Sequence, residues 1–290
     1  MLKAIVAGVD ATQDGAWAGA VAYRIAERAA TQCFIVHAVR DVILPPVAAL
    51  DATDEASIRR SMLSAARKKI LERLRGNVPE SCLESVEVRM GRPPRVIREL
   101  VAERDAGLIV VGGKHHRVLG RWLAGRTGYH VVRLADVPVL VTTPAAARFE
   151  RVLVAVDLSE AARVTIVAAE RFAAMLGARL RVLHAVEEIP FAPEVPAAPS
   201  TQDLLNAATA ALETDIWPAI RTPDAERVIR RGSPLGVIER ETAEWGAQLV
   251  VVGSHGKGWI DRMLLGSVTE GLMRHLPASL LVIPAQRAGH

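Results

Sequence analysis

Leu249-Val-Val-Val-Gly253-Ser-His-Gly256-Lys-Gly-Trp-Ile-Asp-Arg-Met-Leu-Leu-Gly266-Ser267 decides the reading of the chain. The run Leu249 to Val252 is apolar at every position, as in a parallel strand buried on both faces. A glycine-rich loop follows, and from Ser267 the pattern turns helical. Gly253 and Gly256 let the backbone come close to a ligand or take positive φ. Gly266 and Ser267 put free amides and a hydroxyl at a helix start, where the helix dipole favours an anion. Strand, glycine loop and helix start together suit phosphate.

Outward from this stretch, the chain repeats itself. Ala4-Ile-Val-Ala-Gly-Val-Asp10 matches Val152-Leu-Val-Ala-Val-Asp157, and Phe34-Ile-Val-His37 matches Arg181-Val-Leu-His184, both at an offset of 147 (157 − 10, 184 − 37). Further on the offset is 141: Gly91-Arg-Pro93 matches Gly232-Ser-Pro234, and Leu108-Ile-Val-Val-Gly112 matches Leu249-Val-Val-Val-Gly253. One length difference of six residues between His37 and Gly91 accounts for the change. Two copies of one domain are expected, at 1–146 and 147–290.

In the second copy the spacing predicts strands at 151–157, 179–186, 226–231, 248–253 and 279–284. It predicts helices at 160–176, 202–217, 235–245 and 267–276. Alternation of apolar runs with amphipathic stretches makes each copy an α/β sandwich. Hydrophobic residues are 50% of the chain, yet no apolar run reaches the ~20 residues of a membrane helix. Met1-Leu-Lys-Ala enters a strand pattern at once, so no secretory leader is expected and the protein is expected in the cytoplasm. Cys33 and Cys82 show no metal or redox spacing and read as reduced thiols. A net charge of +4 with scattered basic residues, and only 4% aromatic residues, argue against nucleic acid and base stacking as partners.

The spacing G-x2-G-x9-G-[ST], carried by Gly253, Gly256, Gly266 and Ser267, resembles the motif of nucleotide-binding universal stress proteins, and the tandem copies resemble two domains of that family. The resemblance implies a five-stranded, mostly parallel sheet in the order 3-2-1-4-5 with helices on both faces. Ligands would then bind where the order reverses, at the ends of the first and fourth strands. It implies ATP as the ligand, with or without Mg, in a stress-response and signalling protein. It also implies a place for Asp157 near adenine or ribose and for the backbone of Ala185 at the adenine edge. Whether the species is ATP, ADP or a cyclic nucleotide stays open. So do a slow ATPase or phosphotransferase on the same fold, and an interaction module without nucleotide.

Each candidate has a rival role. Asp157 could be a turn carboxylate beside Ser159, the better helix cap. Ser267-Val-Thr-Glu270 reads as a capping box, a use compatible with phosphate contact. His184 reads as a packed strand-end histidine, outside the site. His255 and Lys257 suit either phosphate or a solvated loop tip. In the first copy Gly256 becomes His115 and Ser267 becomes Arg126, so that site is expected to be vestigial, its mouth filled by Arg126. The alternative is an anion site built from Lys114-His-His-Arg117 with Arg121 and Arg126.

No catalytic constellation appears. Lys257 is followed by Gly258 and Trp259, not by the Ser or Thr of a P-loop, and no G-x-S-x-G elbow or zinc-site histidine pair occurs. The last strands, 137–142 and 279–283, would each leave an open β edge. Family members commonly pair through this strand, so the resemblance implies pairing of the two halves around the short linker 143–149. The apolar excursions 118–124 and 259–265 would then serve a homodimer of tandem chains.

Overall fold

The computed structural model describes residues 2–40, 52–116, 121–144, 148–187, 201–255 and 265–285. It divides into one unit of Met1–His115 and Ala124–Pro144 and a second of His116–Leu123 and Ala145–His290.

In the first unit β1 (Ile5–Gly8), α1 (Gln13–Arg28), β2 (Cys33–Val39), α2 (Ala52–Leu74), the short α3 (Glu80–Glu84) and β3 (Glu87–Met90) follow in order. α4 (Pro93–Glu103) and β4 (Leu108–Gly112) come next. In chain order β5 (Lys114–His116) and β6 (Arg121–Leu123) follow as a small two-stranded sheet, with β6 counted in the second unit, and then α5 (Gly125–Leu134) and β7 (Val139–Thr142) complete the first. The main strands lie in the order β3-β2-β1-β4-β7, all parallel. Chain connections therefore reverse direction at β1. Right-handed crossovers then put α1 and α2 on one face and α4 and α5 on the other, in keeping with the packing of α1 on α2 and of α4 on α5.

The second unit repeats the plan with β8 (Arg151–Ala155), α6 (Ala161–Leu176), β9 (Arg179–Val186), α7 (Thr201–Ala211), β10 (Glu226–Arg231), α8 (Pro234–Trp245), β11 (Leu249–Gly253), α9 (Ser267–Arg274) and β12 (Ser279–Ile283). Its order is β10-β9-β8-β11-β12, again parallel. Both units thus carry the order 3-2-1-4-5. Val152, Leu153 and Val154 of β8 and Val250 and Val251 of β11 have no solvent exposure, which is why these strands read as unbroken apolar runs.

The repeated Gly-x-Pro has a backbone cause. Gly91 and Gly232 take φ of 134° and 128°, values an L side chain rarely adopts. Pro93 and Pro234 then open α4 and α8, where a missing N–H costs nothing. The helix expected over 202–217 stops at Ala211 and continues as a π turn, Leu212–Ile216, and a 3-10 turn, Trp217–Ala219. Pro218 is the reason: its ring clashes with the carbonyl four residues back and it donates no hydrogen bond. Beyond the turn, the buried Glu170 carboxylate accepts the amides of Arg221 and Thr222, each at 2.6 Å.

Ion pairs tie each sheet to a helix. Arg181 donates to Glu226 and, at 2.5 Å, to Glu241, which also accepts from Arg230 at 3.0 Å. The Arg181 guanidinium lies 4.4 Å from the centre of the Trp245 ring. In the first unit Arg89 joins Glu87 and Glu103 at 2.5 and 2.7 Å, and Arg104 reaches Glu87 at 2.9 Å. Burial tends to raise the Glu226 and Glu87 carboxyls, but the hydrogen bonds and charges of Arg181 and Arg179, and of Arg104 and Arg89, hold both below the usual range. A depressed folded value contributes stability above the unfolded value, about 4.3 for Glu, and loses it as pH falls through the folded one. The urea midpoint should therefore drop on acidification from about pH 5 to about pH 3. Replacing both glutamates by glutamine should flatten that fall; an unchanged pH slope in the double variant would contradict the assignment.

Candidate functional site

β8 and β11 lie side by side, with Val154 level with Val251, so their C-terminal ends open a crevice where the strand order reverses. Asp157 stands just beyond β8. Its Oδ1 accepts the amide of Ser159 at 3.1 Å and the Ser159 hydroxyl at 2.5 Å, an Asx turn. Ser159 is therefore not the cap of α6. The N-cap is Glu160, without a side-chain cap bond, because the Ser159 hydroxyl is already committed to Asp157.

On the other wall, the Gly266 amide donates to Ser254 O at 2.9 Å, and the Thr269 hydroxyl to Gly253 O at 2.7 Å. These bonds fasten the start of α9 to the end of β11. The capping box is not formed. Gly266 is the N-cap and has no side-chain cap bond, Ser267 is the first helical residue, and Glu270 pairs with Arg274 one turn on. Moving the helix start by one position leaves the Ser267 hydroxyl exposed beside first-turn amides that have no intrahelical acceptor.

A cavity of about 330 Å³ fills the crevice. Asp157, Ala185, Gly253, Gly266 and Ser267 all line it, on β9, the strand ends and the start of α9. Gly256, the remaining candidate, and Lys257 lie outside the described residues. The volume falls within the range of small-ligand sites, about 300–1,000 Å³. The walls include residues the sequence reading set aside or missed: His184, Thr165, Glu187, Pro234 and His255. His184 has both characters. It is 7% exposed and its Nδ1 lies 2.8 Å from Val156 O; since a carbonyl only accepts, Nδ1 carries the proton. Pro234 had a signal in the repeated Gly-x-Pro, whereas Thr165 and Glu187 had none.

The corresponding cavity of the first unit is smaller, about 210 Å³, and is lined by Asp10, Asp14, His37, Arg40, Lys114 and Thr127 among others. Lys114 Nζ lies 3.4 Å from Asp10 Oδ2, and the stem of Lys114 rests against Gly125 at the start of α5. Burial tends to raise the Asp10 carboxyl, but hydrogen bonds from Thr12 and the charge of Lys114 outweigh it and lower it. The expectation that Arg126 fills this mouth is corrected: Arg126 is exposed and outside the cavity lining, and Lys114 crosses instead. As the first helical turn points Arg126 to water, the side chain two residues beyond Gly112 is the one that reaches inward. The side chain of His115 and residues 117–120, which include the start of the excursion 118–124, lie outside the described residues, as does most of 259–265.

Chemically the second cavity offers amides, hydroxyls, the carboxylates of Asp157 and Glu187 and the imidazoles of His184 and His255. That suits binding and orienting a phosphorylated ligand. Burial and the neighbouring Cys82 push the Cys33 thiol up to about 12, so it stays protonated and poorly nucleophilic. Among the described residues no helix is long and apolar enough to cross a membrane.

This architecture has known counterparts. Over the whole chain, a universal stress protein from Archaeoglobus fulgidus superposes with a TM-score of 0.66 at 19% identity, covering 97% of this chain and 98% of its own. A putative universal stress protein from Pseudomonas aeruginosa gives 0.63 at 18%, covering 98% and 93%. These likenesses are of fold. In sequence, a universal stress protein of Mycolicibacterium smegmatis is 32% identical over 199 residues, 66% of this chain and 67% of its own. One from Mycobacterium bovis is 29% identical over 185 residues, 61% of this chain, and the alignment spans 62% of that relative's length. The sequence profile of the universal stress protein family matches residues 1–143 and again 148–284, so that with the doubled sheet order and the doubled crevice already in view, the chain belongs to the universal stress protein family, twice over.

Proposed function

We propose that the protein is a cytoplasmic stress-response protein that binds an adenine nucleotide, ATP, in its second unit. The phosphates would lie on the amides of Gly253, Gly256, Gly266 and Ser267, with Asp157 and the backbone of Ala185 toward the nucleoside. One observation carries the reading: Asp157, Ala185, Gly253, Gly266 and Ser267 line a single cavity at the strand-order reversal, beside the open start of α9. ATP should raise the thermal midpoint of the wild-type protein in the millimolar range or below, by mass action on the folded state. No shift with ATP or ADP would end the proposal.

Occupancy should be unequal. Because Lys114 bridges to Asp10 and lies on Gly125, the first cavity presents a filled start of α5 where the second presents an open start of α9. Calorimetric titration should give about one ATP per chain; two equivalent sites would contradict this. Trp259, Ile260, Met263 and Leu264 make an apolar segment in the sequence, which supports a homodimer of tandem chains. Light scattering that reports a monomer at every concentration would remove that part.

A further inference from the structure

His255 sits between the two glycines of the loop and lines the second-unit cavity. Its Nδ1 is 2.8 Å from the Ser254 hydroxyl. Ser254 is 5% exposed, and its oxygen already accepts the Ala285 amide at 3.0 Å. The buried hydroxyl hydrogen needs an acceptor of its own, and among the described residues Nδ1 provides it. Nδ1 therefore accepts, and the ring proton of the neutral imidazole lies on Nε2. Nε2 is buried and has no partner among the described residues. A buried N–H without an acceptor in the wall of a cavity is a donor waiting for one.

The repeat supplies a second observation. At the offset of 141, position 255 corresponds to Lys114, so both units place a nitrogen donor at this point of the loop. In the first unit that donor is occupied, because Lys114 reaches Asp10. In the second, Asp157 accepts from Ser159 as Asp10 does from Thr12, but the His255 Nε2 donor meets no acceptor among the described residues and is left for a ligand that accepts.

We propose that His255 Nε2–H donates a hydrogen bond to a phosphoryl oxygen of the nucleotide, with Ser254 fixing the tautomer that allows it. This rests on the adenine-nucleotide reading of the second unit. The contact recognises phosphate through a neutral donor, so it favours ATP over adenosine without adding charge to the cavity.

The test is ATP and adenosine titration of the full chain, wild type against His255→Phe and His255→Gln. Phenylalanine keeps the ring and loses the donor; glutamine returns an amide N–H at similar reach. A hydrogen bond to a charged acceptor predicts about a tenfold or greater weakening of ATP binding in His255→Phe, with adenosine unchanged and His255→Gln within about threefold of wild type. ATP affinity within twofold of wild type in a folded His255→Phe would overturn the inference, as would equal losses for ATP and adenosine. Imidazole nitrogen NMR on the wild type gives a reading independent of any variant. A proton on Nε2 that shifts with ATP supports the inference, and a proton on Nδ1 in the free protein overturns it. A wild type that binds no ATP fails the nucleotide reading itself, whereas a wild type that binds with an indifferent His255→Phe fails this inference alone.

Discussion

Gly266→Val combined with Ser267→Glu is expected to abolish the ATP-induced thermal shift completely. Gly266 is the N-cap of α9, buried, with its own amide tied to Ser254 O, and Ser267 opens the helix. A branched side chain at the cap covers the first-turn amides, and a carboxylate at the next position takes the place the dipole offers to phosphate and repels it. The backbone at Gly266 has φ −59° and ψ 146°, which valine accepts, so the double variant should fold. A folded double variant with an undiminished ATP shift would show that the phosphates, if bound, lie elsewhere.

Glu241→Ala should cost the most stability of any single charge removal. The Glu241 side chain is 2% exposed and holds two arginines, Arg181 at 2.5 Å and Arg230 at 3.0 Å, while Arg181 is itself 15% exposed. Removing the carboxylate takes from the Arg181 guanidinium one of its two carboxylate partners, leaving Glu226 alone to balance it beside Trp245, so the cost is expected near the lower end of the roughly 3–5 kcal/mol of a broken buried pair. Urea denaturation would read this directly. Replacing Arg181 and Glu241 together by Met and Leu should recover most of the loss, because no buried charge is then left alone. A loss under about 1 kcal/mol for the single change would mean that the cluster is solvated like a surface pair.

The parts of the fold visible in the sequence were those governed by burial along the chain. Val152 to Val154 and Leu249 to Val252 read as strands because both sheet faces are covered, and the repeat doubled every such signal. Five candidate site residues line one cavity because they lie on β9, at the ends of β8 and β11 and at the start of α9, around the order reversal, a placement the family resemblance supplied. Where a short motif has two geometric solutions, local sequence does not decide between them. Ser159 turned to Asp157, and Glu270 turned to Arg274. α7 ends earlier than its apolar spacing predicts because Pro218 acts on residues before it. Lys114, and not the longer Arg126, lines the first cavity, because Arg126 points to water from the first turn of α5. The tautomer of His255 is beyond sequence, since it depends through Ser254 on the amide of Ala285, just past the end of β12.

The arginine–glutamate clusters have one more consequence. Each lies on the outermost strand of its sheet at the β3 and β10 side, with Glu87 and Arg89 on the one and Glu226 and Arg230 on the other. An outermost strand with unpaired amides and carbonyls invites a foreign strand to dock and continue the ladder. Here an incoming chain would have to desolvate a fence of alternating charges before its first rung could form. The pairs that fasten helix to sheet thus also end lateral growth, leaving a doubled parallel fold able to reach high concentration without seeding fibres from these two margins.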